Sequence, residues 1–199
     1  MRKNRIIIAA VLVVYMLLSA VFFASCGGGS DLDGFNNAVS ATKPTNISGE
    51  VSVNYKDLGS LEATFDSEIA EDGSFEVNYT YTKFNNIGSG SAEDTTSTLT
   101  GTVTYKNGAY SDTSLAAKLP ADATATKLKL NADKMTYTLS KDGNVLAGTV
   151  KAANTKAVFG VEYASDVTFV LTKTSEKIVS LSMTYTLTEG TVEVVCNYQ

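Results

Sequence analysis

Ser40 and Lys43 stand three residues apart, the spacing of a hydroxyl nucleophile and its amine base in acyl transfer. Ser111, Asp112 and Thr113, and later Lys173, Thr174 and Ser175, follow in the order in which such chemistry places its auxiliary groups. The assignment fails on local grounds. Pro44 follows the pair, where the mechanism needs a long buried helix, and both later triplets are short matches in a Ser/Thr-rich chain. The chain has no His, so the commonest general base and metal ligand is missing. No convincing nucleophile–base pair is left, and the expectation is a protein that is not an enzyme and that uses no cofactor or metal.

Two acidic stretches invite a cation. Asp31, Asp33 and Asn36 bring oxygen ligands close together, but the placed Gly and closing Glu of a calcium loop are absent. Glu62, Asp66, Glu68, Glu71, Asp72 and Glu76 fall on the outer side of one hairpin, where charge protects a strand surface from aggregation.

Cys26 is the residue whose surroundings specify a reaction. Arg2, Lys3 and Arg5 open the chain, residues 6–23 are apolar apart from Tyr15 and Ser19, and Ala24 and Ser25 are small. A basic start, an apolar run and a small-residue cut describe an export signal. With Cys26 at the cut, Phe23-Ala24-Ser25-Cys26 resembles the bacterial lipoprotein signal. That resemblance implies a diacylglycerol (palmitate-type) thioether on Cys26, cleavage before it, and attachment to the extracytoplasmic face of the cell membrane, or to the outer membrane if the host has one. Two or more acyl chains anchor stably, each buried methylene contributing about 0.8 kcal/mol. The apolar run is also just long enough to span a bilayer uncut. Either way the chain after residue 26 lies outside the cytoplasm.

The organisation that follows is a signal over residues 1–25, a lipidated Gly/Ser tether over 26–32 and one domain over 33–199. Removing Arg2, Lys3 and Arg5 leaves 13 basic side chains against 21 acidic ones, a charge of −8. Such a surface excludes nucleic acid as partner and gains nothing from anionic lipid, so the membrane contact falls to the lipid on Cys26. With Cys26 acylated, no intramolecular disulfide is expected and Cys196 is left over. It shares a strand face with Val192, Val194 and Tyr198, and reads as a small buried apolar residue.

Period-two alternation dominates the domain. Val51 and Val53, then Leu61, Ala63 and Phe65, then Phe75, Val77, Tyr79 and Tyr81 alternate with polar residues. Leu99, Gly101, Val103 and Tyr105 do the same, as do Met135, Tyr137 and Leu139, then Val167, Phe169 and Leu171, and last Val179, Leu181, Met183, Tyr185 and Leu187. Half-buried strands follow, with Thr on the outer face. Asp72-Gly73, Asn107-Gly108, Asp142-Gly143 and Glu189-Gly190 mark tight hairpin turns, so neighbouring strands are antiparallel. Two short helices are expected. Residues 33–41 form one, capped by Asp31 or Asp33, with Phe35, Ala38 and Val39 inward. Residues 152–159 form the other, with Ala152, Val158 and Phe159 inward and Gly160 as its stop. Residues 85–96 read as a long loop.

The expected fold is mainly β: a single curled antiparallel sheet, half-barrel-like, with one or two short helices; the alternative is a sandwich or closed barrel. In its order of elements the chain resembles the half-β-barrel lipid-carrier lipoproteins. Residues 152–160 and the strands after them look like uncharacterised Gram-positive lipoproteins. The carrier resemblance implies a ligand groove lined by inward aromatics, here Phe65, Phe75, Tyr79, Tyr81, Tyr105, Tyr137, Phe169 and Tyr185. The expected function is a membrane-anchored binding module for an apolar or amphiphilic ligand or an envelope protein. A structural or adhesive surface domain is the alternative.

Overall fold

The computed structural model describes residues 30–54, 59–85, 95–106, 109–111, 128–187 and 190–199. The signal segment, Cys26, the Asn107-Gly108 turn and most of the loop read over 85–96 lie outside them. Among the described residues the elements are helix α1 (Ser30–Ala41), strands β1 (Asn46–Asn54), β2 (Gly59–Glu68), β3 (Phe75–Asn85), β4 (Thr95–Lys106), β5 (Ala109–Tyr110), β6 (Met135–Leu139) and β7 (Val145–Val150), helix α2 (Thr155–Phe159), and β8 (Val167–Lys173), β9 (Ile178–Leu187) and β10 (Gly190–Tyr198).

All ten strands form one antiparallel sheet in the order β5-β4-β3-β2-β1-β10-β9-β8-β7-β6. The sheet is open, with β5 and β6 at its two edges, so neither the sandwich nor the closed barrel is formed. β1 and β10 pair at the centre, from Ile47 opposite Tyr198 to Asn54 opposite Thr191. The result is two meandering wings, β2–β5 on one side and β6–β9 on the other. Short turns join β2 to β3, β6 to β7, β8 to β9 and β9 to β10. In the β2–β3 turn Gly73 takes φ 79°, and in the β6–β7 turn Gly143 takes φ 69°, left-handed values that a side chain disfavours. Asp72 and Asp142 complete these turns by accepting from the backbone N–H groups of Ser74 and Asn144.

One face of the sheet is apolar and buried. Ile47, Val51, Val53, Leu61, Leu146, Val150, Val167, Leu171, Val192 and Cys196 are all at most 1% exposed. Cys196 is therefore a buried thiol on the inner face, as its strand pattern predicts. The β9 pattern needs a correction. The register shifts between Thr172 and Lys173, adding a residue on β9, so Ile178 turns inward and Val179 is only half-buried.

The helices lie against this inner face. α1 buries Leu32, Phe35, Ala38 and Val39, at i, i+3, i+6 and i+7, the apolar stripe of a core-facing helix. It begins at Ser30, not Asp33, so residues 30–32 are helical and both Asp31 and Asp33 lie within the first turn. It stops at Ala41, before Pro44: the Thr42 N–H donates to Ala38 O and Val39 O, and the Thr42 hydroxyl accepts from the Ile178 N–H on β9. The second helix is split. A 3₁₀ turn over Ala152–Asn154 precedes α2, and Gly160 ends it at φ 77°. Thr155, rather than Ala152, is its fully buried partner to Val158 and Phe159. Its hydroxyl donates to Ala152 O and accepts from the Tyr163 N–H, so the buried oxygen is satisfied.

Candidate functional site

The inward aromatics divide between the wings. In the β6–β9 wing, Phe169 sits directly opposite Gly148. Its ring fills the space of a missing side chain, since a Cβ on Gly148 would stand 2.8 Å from Phe169 Cε1 and 3.0 Å from Thr136 O. Phe159 from α2 closes over it edge-on at 5.6 Å. Phe159 in turn meets Tyr163 at 5.8 Å, and Tyr163 meets Tyr185 at 4.7 Å. Phe169 and Tyr185 are 2% and 5% exposed. These two side chains form a filled core rather than the wall of an open groove. Tyr137, the other neighbour of Gly148, is partly buried against it.

The β2–β5 wing repeats the device with a looser closure. Tyr79 stands opposite Gly101, and a Cβ there would meet the Tyr79 hydroxyl at 2.5 Å. Tyr79 is only partly buried. One step along the same face, Leu99 is 56% exposed. Towards the other end, Phe75 and Tyr105 pair at 4.9 Å and are buried. The backbones of Phe65 and Tyr81 belong to this face, opposite Gly49 and Leu99; their side chains lie outside the described residues.

Sequence reasoning missed a second feature. Residues 128–131 form a strap across the inner face. Leu128 and Leu130 point in, and the Lys129 N–H donates to Val158 O on α2. Asn36 clamps the strap from α1: its Nδ2 donates to Leu130 O and its Oδ1 accepts from the Leu130 N–H, both at 2.9 Å. A cleft of about 540 Å³ runs beside the strap, lined by Val39, Ser40, Leu128, Lys134 and Ala157 among others. The Lys127-Leu128-Lys129-Leu130 alternation is the signal that could have found it.

The polar candidates stay apart. The Ser40 hydroxyl donates to Asn36 O, the ordinary back-bond of a helical serine, and Lys173 Nζ lies 5.2 Å from the centre of the Phe35 ring. Asp112 lies outside the described residues. On the outer face, Ser52 stands between Glu62 and Glu193, with Glu50 two residues along β1. Partial burial, and then the charges of Glu62 and Glu193, push the Glu50 carboxyl above its usual range. Asp72 is held well below the usual range by Lys106 at 2.7 Å and by Ser74. Asp166 is lowered by Lys151 at 2.6 Å and by the Ala152 N–H, and Asp142 by Ser140 and Asn144. Among the described residues no group of three His, Cys, Asp or Glu could hold a metal ion, and no helix is long and apolar enough to cross a membrane.

No protein-family model matches the chain, and no curated protein matches it. Among solved structures it is similar to LprF from Mycobacterium bovis, at 13% identity and a TM-score of 0.40, over 85% of this chain and 92% of that one.

Proposed function

We propose that the chain is a lipid-anchored extracytoplasmic binding module, not an enzyme, that holds an apolar or amphiphilic ligand against the inner face of its β2–β5 wing. The observation that carries the reading is the unfinished closure of that face. The partly buried Tyr79 and the exposed Leu99 continue the same apolar surface as Val77, Val103 and Tyr105. An apolar wall that reaches solvent favours ligands that bring their own apolar surface. On the opposite wing the corresponding ring, Phe169, is covered by Phe159, which packs in turn on Tyr163. The anchor rests on Cys26 and the signal before it.

Two experiments test the parts separately. Growth with labelled palmitate should label the parent chain and leave Cys26→Ser unlabelled; label on the variant removes the anchor. Native mass spectrometry of the secreted Cys26→Ser form should show a lipid-sized adduct that Tyr79→Ala weakens. A clean apo mass with no uptake of a fluorescent fatty acid ends the ligand reading and leaves an adhesive surface domain, with the Thr-rich outer face as its contact.

A further inference from the structure

We propose that the domain sits on the bilayer in one orientation, with the face made by the start of α1 and by Asn131–Lys134 resting on the lipid headgroups. The inference rests on the anchor at Cys26 and is independent of the ligand reading.

The reach of the chain carries it. α1 begins at Ser30, so only Gly27, Gly28 and Gly29 separate it from Cys26. Steps of about 3.8 Å between successive Cα atoms allow at most about 15 Å from Cys26 to Ser30, whatever path the glycines take. The acyl chains hold Cys26 at the lipid–water interface. Leu32 and Phe35 are 2% and 1% exposed, so the start of the helix is fixed to the sheet and does not peel away from it. α1 is about 18 Å long at 1.5 Å per residue. The tether is therefore shorter than the helix it holds, and the start of α1 stays at the membrane together with whatever packs beside it.

What packs beside it is the turn that leads into β6. Asn36 clamps Leu130, and Asn131, Ala132 and Asp133 run next to Leu32 and Asp33 across a hollow of about 320 Å³. The turn has a set shape: the Asp133 N–H donates to Asn131 Oδ1 and the Lys134 N–H to Asn131 O. Asp33, Asn131, Ala132, Asp133 and Lys134 are exposed on this face, and all are small or polar. Among the described residues the exposed large apolar side chain is Leu99, on β4. Charged groups are costly in hydrocarbon, so a face of this kind meets the phosphate and glycerol layer and goes no deeper.

The distribution of charge favours the same orientation. Glu62, Asp66, Glu68, Glu71, Asp72 and Glu76 are all exposed on the β2–β3 hairpin, where Lys106 pairs with Asp72. The turn of that hairpin lies by the far end of α1: the Ile69 N–H donates to the carbonyl of Thr45, just beyond Ala41. At the near end the acids Asp33 and Asp133 are offset by Lys129 and Lys134. A bilayer that contains anionic lipid repels the hairpin and is nearly indifferent to the mixed face. Salt screens that repulsion beyond about 10 Å, so holding the start of α1 down and the hairpin away removes most of it.

The test uses the full acylated chain in vesicles of phosphatidylcholine and phosphatidylglycerol whose headgroups carry a spin-label quencher. A fluorophore on Asp133→Cys should be quenched roughly threefold or more above one on Glu71→Cys, after subtraction of the parent chain, which reports any labelling of Cys26 and Cys196. Inserting about twelve Gly/Ser residues after Gly29 frees the domain to turn, and about 1 M salt screens its charges. Together they should bring the two signals level. A chain that takes up no palmitate label removes the anchor and this orientation with it. In a palmitate-labelled, vesicle-bound chain, quenching at residue 133 no greater than at residue 71 overturns the orientation alone. A difference that survives the longer tether in high salt overturns the short reach as its cause.

Discussion

The two wings use one packing device and finish it differently. In each, an aromatic ring lies across a glycine on the neighbouring strand: Phe169 over Gly148, and Tyr79 over Gly101. In the β6–β9 wing a helix drops a second ring, Phe159, onto the first, and the strap and α1 are fastened alongside by Asn36 and by Lys129. In the β2–β5 wing the ring stays partly exposed, and the apolar face runs out to Leu99 at the sheet edge. A glycine–aromatic pair therefore does not by itself make a core. The element above the ring decides whether the site is packed or open.

The largest expected effect separates the wings directly. Phe169→Ala removes a buried ring enclosed on all sides and should cost about 3–5 kcal/mol in chemical denaturation. Tyr79→Ala, at a partly exposed ring, should cost no more than about 2 kcal/mol. Equal losses would mean that the two rings are equally enclosed and would end the distinction. Next comes the strap. Asn36→Ala leaves the buried Leu130 backbone groups unpaired, at about 1–3 kcal/mol, and Asn36→Asp should lose less because it keeps the acceptor for the Leu130 N–H.

The glycines sharpen the comparison further. Gly148→Ala forces a methyl against a ring that Phe159 holds in place and against the Thr136 carbonyl, at about 1–3 kcal/mol. Gly101→Ala meets first the side chain of Tyr79, which is only partly buried, so its thermal midpoint should fall less. The smallest effect is electrostatic. The Glu50 carboxyl is raised in the folded state, so the fold binds its proton more tightly than the unfolded chain does. Its penalty is absent below the unfolded value near 4.5 and grows as pH rises through the folded value. Glu50→Gln should therefore raise the thermal midpoint at neutral pH, with the gain vanishing in acid. Asp72, Asp142 and Asp166 act in the opposite sense: each is lowered, so each supports the fold above pH 4 and loses that support as pH falls through its folded value.

Much of this molecule is legible in its sequence because its signals are local. Alternation assigns the inward faces of β1, β3, β6, β8 and β10 where their side chains are described; on β9 the extra residue, Val179, between Ile178 and Ser180, lets Ile178 turn inward. A bulge changes the register of pairing, and a single strand's pattern cannot report its partner's register. The turn signals at Asp72-Gly73 and Asp142-Gly143 hold, since a left-handed φ is a demand on one residue. The candidate site is less legible. Phe169 and Tyr79 carry the same period-two signal, yet one is closed by Phe159 and the other is not.

The sequence by itself determined the mainly β antiparallel fold, its two short helices and the buried thiol at Cys196. Each is written in the residue types or spacing of one continuous segment. Only the tertiary structure decided that the sheet stays open, that its first and last strands pair at the centre, that Asn36 reaches Leu130 94 positions away, and which aromatic rings are covered. These are contacts between segments far apart in the chain, and a period of two fixes which way a side chain points without fixing what it meets.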